Sequence, residues 1–323
     1  MRKLTIALAL ALIVAALGGR AFAQSYPSRT ITLVVPFPPG GGVDALARIL
    51  AERLSVALKQ SVVVENRSGG GGTVGTRQVA KAEPDGHTLM LAHTGTISIN
   101  PSLYANAGYD PRKDFAPVGL IGSMPVALIA HPSFPARTVA DVIAIAKREA
   151  GKLNFGTSAV GTGGYLTAEY FKSVAGLDMT IIPYRGTGPL MNDLIGGHVP
   201  VSFGVLPPAI GNIQSGTLRA IAVTGTHRFS LLPDVPTAAE SGLPGFDAVL
   251  HYGLVAPAGT PRPIIDRLNR ELRTLAENDQ VKQRIQAEGG DAMTSTPEEY
   301  AKDIDREETK WSTLIRKLNL KVE

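Results

Sequence analysis

Three glycine-rich segments and one Tyr-Arg pair hold most of this chain's capacity for chemistry. Gly40-Gly41-Gly42 lies between the apolar run Ile31 to Val35 and a helical pattern opening near Asp44. Gly69 to Gly75 (GGGGTVG) and Gly156 to Gly164 (GTSAVGTGG) are the second and third segments. A strand that runs through a glycine loop into a helix aims several unpaired N–H groups, and the positive end of the helix dipole, at one point. Such a point holds an anion: a phosphate, a nucleotide or a carboxylate. Tyr184-Arg185-Gly186 adds a hydroxyl and a guanidinium, the latter suited to gripping a carboxylate through two parallel hydrogen bonds. The plainer readings are a tight turn at Gly40 to Gly42, a helix cap at Asp44, and an ion pair of Arg185 with Asp193.

Other chemistries find less support. Gly40-x-Gly42-x-x-Ala45 and Gly70-x-Gly72-x-x-Gly75 both fit the dinucleotide fingerprint, but 35 glycines make such matches common. A nucleotide site also wants an acidic ribose partner about 20 residues on; Glu65 is tolerably placed for the first window and nothing is for the second. No G-K-[ST] follows for a phosphate loop. Ser158 lacks a G-x-S-x-G setting and a histidine nearby in sequence, although a distant one could approach it in space, so an exported α/β-hydrolase-like enzyme stays as an alternative. The six histidines, His87, His93, His131, His198, His227 and His251, show no metal-ligand spacing and read as surface or loop residues. No catalytic residue, metal or cofactor is expected.

The elements that must position the loops follow from periodicity. A strand Ile31 to Val35, a helix Asp44 to about Gln60 with Leu46, Ile49, Leu50, Leu54 and Leu58 on one face, a strand Ser61 to Glu65 and a helix carrying Val79 and Ala80 form two strand, loop, helix units. Parallel strands are the simplest solution, with both loops opening at one carboxyl edge. A third strand, Leu89 to His93, ends in a small polar loop, Thr94-Gly95-Thr96. Strands Val118 to Ile121 and Val126 to Ala130 flank Pro125 and read as a crossing into a second unit. There, Thr138 with Asp141 caps a helix, and a helix bearing Leu166, Tyr170 and Phe171 follows the third glycine segment. A strand Thr180 to Pro183 and a helix near Pro189 to Leu194 continue that unit. Strands are expected over Val199 to Val205, Ala220 to Thr224 and Ala248 to Val255, the last crossing back. Thr260-Pro261 and the capping box Thr296-Pro297-Glu298-Glu299 open two closing helices, with Tyr300, Ile304, Trp311, Ile315 and Leu318 as a core face.

Met1 to Ala23 has basic Arg2 and Lys3, an apolar run Leu4 to Leu17, and Ala21-Phe22-Ala23 as a cleavage site, the pattern of a secretory signal peptide. Its removal takes Arg2, Lys3 and Arg20 from the 32 basic residues, so the net charge falls from +4 to about +1 and gives no footprint for nucleic acid. With no cysteine there is neither disulfide nor lipid-attachment site, so a free, soluble, monomeric protein in a periplasm-like compartment is expected. An exported chain also meets little NAD or ATP.

The segments PFPPGGGVD, ENRSGGGGTVGT, NPSLY, YDPRKDFAPV, PYRGTGPLMNDLIGG, TLRAIAVTGTHR, LPDVPTAAESGLPGF and APAGTPRPIIDRLN, in this order from about Tyr26 to the C-terminus, closely resemble the Bug (TctC-like) family, periplasmic solute receptors of tripartite tricarboxylate transporters. The resemblance implies an α/β, type II periplasmic binding-protein fold: two α/β domains with mainly parallel central sheets, hinged by crossing strands around a ligand cleft. The expected division is 1–23 signal peptide, 24–125 with 250–323 as a discontinuous first domain, and 126–249 as the second. It further implies a small organic acid as ligand and the permease subunits of such a transporter as partner; a receptor kinase is the alternative recipient. Carried onto this chain, the family's ligand-gripping loops select Pro39, Gly40, Gly41, Gly42 and Asp44; Gly71, Gly72 and Thr73; Thr94 and Thr96; Thr157, Ser158, Gly161 and Thr162; and Tyr184, Arg185 and Gly186. The Ala92 to Thr96 and Val205 to Pro208 segments are expected to tune ligand choice.

Overall fold

The computed structural model describes residues 26–206 and 208–322. The signal-peptide reading of 1–23, and Pro207, fall outside the described residues. Ten strands run in chain order as β1 (Ile31–Val35), β2 (Val62–Asn66), β3 (Thr88–His93), β4 (Phe115–Ala130), β5 (Asn154–Thr157), β6 (Thr180–Pro183), β7 (Val201–Val205), β8 (Arg219–Val223), β9 (Val249–Pro257) and β10 (Asp291–Ala292). The longer helices are α1 (Gly42–Leu58), α2 (Thr73–Ala80), α3 (Val139–Arg148), α4 (Gly163–Ala175), α5 (Thr187–Ile195), α6 (Arg262–Glu277), α7 (Asp279–Ala287) and α8 (Pro297–Lys317).

The strand order is β2-β1-β3-β9-β4-β7-β5-β6, with β8 and β10 also pairing β4. Parallel pairs occupy the two ends: β1 with β2 and β3, and β5 with β6 and β7. β1 is apolar but for Thr32, as suits a strand covered by helices, and α1 buries Leu46, Ile49, Leu50, Leu54 and Leu58 against it. The centre of the sheet is antiparallel. β4 pairs with β9 from Phe115 to Pro125, then with β7 and β8 from Val126 to Ala130.

The two short strands expected on either side of Pro125 are therefore one. Proline's fixed φ suits extended backbone, and its missing N–H falls where β4 changes partner from β9 to β7. β9 returns across the same line, with Val249 opposite Pro125. The Thr94 to Thr96 segment is not an open loop: Gly95–Ile99 forms a wide helical turn and is buried throughout. Its geometry follows from the His93 ring, whose Nδ1 accepts the Gly95 N–H at 2.7 Å.

Local capping signals hold. Thr138 with Asp141 and Thr296 with Glu299 each make both hydrogen bonds of a capping box. α7 and β10 were not anticipated; α7 is started by Asn278, whose carbonyl oxygen accepts from the Gln280 and Val281 N–H groups. Trp311 is fully buried, donates to Glu307 at 3.0 Å and meets the Tyr170 ring edge-on at 6.3 Å.

Candidate functional site

A cleft of about 710 Å³ opens where the glycine segments converge. From the β1 to β3 end of the sheet it is lined by residues 37–43, 68–72 and His93. From the β5 to β7 end come Ser158, Ala159, residues 162–164, residues 185–189 and Val205, while β9 contributes Leu250 and Tyr252. The volume lies within the range typical of small-molecule sites, about 300–1,000 Å³.

Four helices begin at this cleft: α1, α2, α4 and α5. Three of them start from glycine, at Gly41, Gly72 and Gly186, and receive no side-chain cap. Of the longer helices that start elsewhere, α3, α7 and α8 are capped by Thr138, Asn278 and Thr296, while α6 starts from Pro261 without a side-chain cap. At α1 and α5 the first-turn N–H groups are thus left for whatever occupies the cleft, whereas at α2 the Thr73 and Val74 N–H groups bond to the Gly70 and Gly69 carbonyls; the helix dipoles favour an anion there. The fourth, α4, is capped by Thr162, which accepts from the Tyr165 N–H.

The charge in the cleft is sparse. Arg185 is exposed, lines the cleft, and forms no ion pair or side-chain hydrogen bond among the described residues. The Asp193 carboxylate takes the Tyr184 hydroxyl at 2.7 Å, so the anticipated alternative of an Arg185 to Asp193 pair does not form. Burial first, and then the bond to Asp193, push the Tyr184 phenol up to about 12. Among the described residues no carboxylate lines the cleft.

Ten of the seventeen anticipated residues line the cleft: Pro39, Gly40, Gly41, Gly42, Gly71, Gly72, Ser158, Thr162, Arg185 and Gly186. The other seven shape it from behind. Asp44 is buried and faces away; its carboxylate accepts from Gly40 N–H, from Arg48 Nε and Nη2, and from Asn66 Nδ2, each at 3.0 Å. Burial alone would raise its pKa, yet these donors hold it below the usual carboxylate value. Thr94 accepts the His251 N–H at 2.9 Å and ties β3 to β9. Thr96 exchanges hydrogen bonds with the His93 backbone. Thr73 and Thr157 are buried, Gly161 packs on Asn100 and Tyr104, and Tyr184 is turned to Asp193. Ser158 donates to Thr162 Oγ1 at 3.2 Å, and no histidine bonds to it among the described residues.

Phe37, Leu250 and Tyr252 line the cleft and were missed, while His93 lines it from within the Ala92 to Thr96 segment expected to tune ligand choice. His93 and His87 are buried, where a loop or surface position was expected. His93 stacks on Phe37 at 4.8 Å with 18° between planes and meets Tyr252 at 5.6 Å. Burial lowers its pKa to about 4, so the ring is neutral. The signal available for Phe37 was its glycine neighbours: a Cβ on Gly72 would press within 3.0 Å of the Phe37 ring, so the loop must be glycine for the ring to lie there. Gly163 likewise leaves room for Leu250.

The chain matches the Tripartite tricarboxylate transporter family receptor over residues 46–320. It is 34% identical to protein BugT of Bordetella pertussis, over 100% of this chain and 99% of that one. Among solved structures, an R. palustris protein with adipate aligns at TM-score 0.88 and 34% identity, over 92% of this chain and 100% of the other. MatC of Rhodopseudomonas palustris, with bound malate, aligns at 0.84 and 33%, over 90% and 100%. A match over most of its length, and a fold shared with these structures, mean that this chain belongs to the Bug-type receptor family of tripartite tricarboxylate transporters, a family of periplasmic binding proteins.

Proposed function

We propose that this protein is a non-catalytic extracytoplasmic receptor. It captures a small organic carboxylate in the cleft and delivers the closed complex to the permease subunits of a tripartite tricarboxylate-type transporter. The observation behind this reading is the group of uncapped, glycine-started helices facing a cleft with one cation and no carboxylate. That arrangement holds an anion without acting on it, since Ser158 is engaged with Thr162 and not with a base. Adipate and malate in the related structures are consistent with a carboxylate here.

In this reading, residues 24–125 with 250–323 form one lobe, 126–249 the other, and β4 and β9 are the hinge. Ligand would favour the closed arrangement because only there do both sets of helix ends reach one anion. Signal-peptide cleavage after Ala23 would release a free monomer into the periplasm. Isothermal titration of dialysed protein against mono-, di- and tricarboxylates and aromatic acids tests the binding step; an absence of heat with every acid overturns it. Uptake by the permease reconstituted in vesicles, with and without the receptor, tests delivery.

A further inference from the structure

One continuous stretch of the cleft's lining is apolar and aromatic. Phe37 stacks on His93, His93 leans on Tyr252, and Leu250, two residues before Tyr252 on β9, presents to the same side of its strand. These groups are fixed before any ligand arrives. Gly95 donates its N–H to His93 Nδ1 at 2.7 Å, and the Phe37 ring sits over Gly72. Because Nδ1 accepts, the neutral ring carries its proton on Nε2, and no described residue accepts it. Beside the one cation, Arg185, the lining offers neutral donors, the His93 imidazole and the hydroxyls of Tyr252, Ser68 and Thr187, and among the described residues no second positive side chain.

That distribution disfavours a ligand with charge at both ends. A second carboxylate set against Phe37, Leu250 and Tyr252 would lose its water and gain only neutral donors, the His93 ring and the Tyr252 hydroxyl, with no cation to offset the loss. A flat apolar body would instead extend an aromatic stack that already exists. Resting on the receptor reading above, we infer that the cleft selects an aromatic monocarboxylate: its carboxylate at the glycine-started helix ends with Arg185, its ring against Phe37, His93 and Tyr252, and a neutral ring oxygen, where present, accepting from His93 Nε2. This departs from the aliphatic dicarboxylates seen in the related structures.

Calorimetric titration of the dialysed protein with benzoate, 4-hydroxybenzoate, cyclohexanecarboxylate, malate and adipate tests the assignment. The two aromatic acids should bind at least about tenfold more tightly than malate or adipate, and Phe37→Leu should weaken them by about three- to tenfold, the range for losing one aromatic pair. If malate or adipate binds best, the aromatic assignment falls and the receptor reading stands. Equal affinity for benzoate and cyclohexanecarboxylate also overturns it, since stacking would then contribute nothing. If no acid binds, both readings fall together.

Discussion

Asp44 was expected to touch ligand and instead holds the first glycine loop from behind, which makes Asp44→Ala a sharp test of how the cleft is built. The substitution removes the acceptor of four hydrogen bonds, from Gly40 N–H, Arg48 Nε and Nη2, and Asn66 Nδ2. Arg48 is 57% exposed, so its pairing is screened and adds about 0–1 kcal/mol. The bonds from Gly40 and Asn66 to a buried carboxylate contribute about 1.5–3 kcal/mol each, but they share one acceptor and do not add fully. The expected loss is about 3 kcal/mol, which in a chain of this size lowers the melting temperature by roughly 5 °C. Ligand affinity should also fall, because Gly40 and Gly41 lose the anchor that fixes their direction. Asp44→Asn keeps an acceptor for Asn66 or Gly40 and should recover about half the loss.

The pH dependence gives an independent check. The folded pKa of Asp44 is depressed, so its contribution is complete above the unfolded value near 4 and is lost as pH falls through the folded value; Asp44→Asn should flatten that acid limb. Differential scanning calorimetry from pH 7 to pH 3, with titration calorimetry at pH 7, reads all of these. An Asp44→Ala protein that melts like wild type yet binds no acid would refute the clamp and return Asp44 to the ligand.

The remaining expectations are more compact. Arg185→Ala should leave the melting temperature within about 1–2 °C, because the side chain has no described partner, and weaken carboxylate binding by about ten- to a hundredfold in titration calorimetry. His93 is neutral with a folded pKa near 4 against 6.5 unfolded, so the unfolded chain gains a proton between those values that the folded chain refuses. Stability should drop by roughly 2–3 kcal/mol from pH 7 to pH 4.5, and His93→Phe should remove that part of the slope in denaturant melts. Trp311, the single tryptophan, contacts Tyr170, which stacks on Phe246, so its emission should shift when a carboxylate is added; unchanged emission at saturation would place α8 outside the motion. N-terminal sequencing of the exported protein should begin at Gln24.

Much of the fold was legible because its signals are local. β6 and the capping boxes at Thr138 and Thr296 follow from residue types a few positions apart, and the apolar run of β1 announces a doubly covered strand. The glycine segments likewise announced where helices begin at the cleft. What the sequence could not convey was direction. Asp44, Thr94, Thr96 and Tyr184 all sit near cleft-lining residues, but each has a protein partner that turns it inward, and those partners lie on the next helical turn, on β9, three residues back at His93 and on α5. The burial of His93 was hidden for the converse reason, although its segment, Ala92 to Thr96, was expected near the ligand. A histidine ending an apolar strand looks like an edge residue until Gly95, Phe37 and Tyr252 are seen to enclose it.

β9 holds two of the aromatic and aliphatic lining residues, Leu250 and Tyr252, in the same nine residues that pair with β4 on one side and β3 on the other. A lineage adapting to a new nutrient could therefore exchange Phe37 with little mechanical consequence, whereas replacing Leu250 or Tyr252, or Val205, which pairs with Val126 of β4, would disturb the crossing strands as well. Ligand range should drift mainly through loop positions, leaving β9 as the slow partner in the history of the pocket.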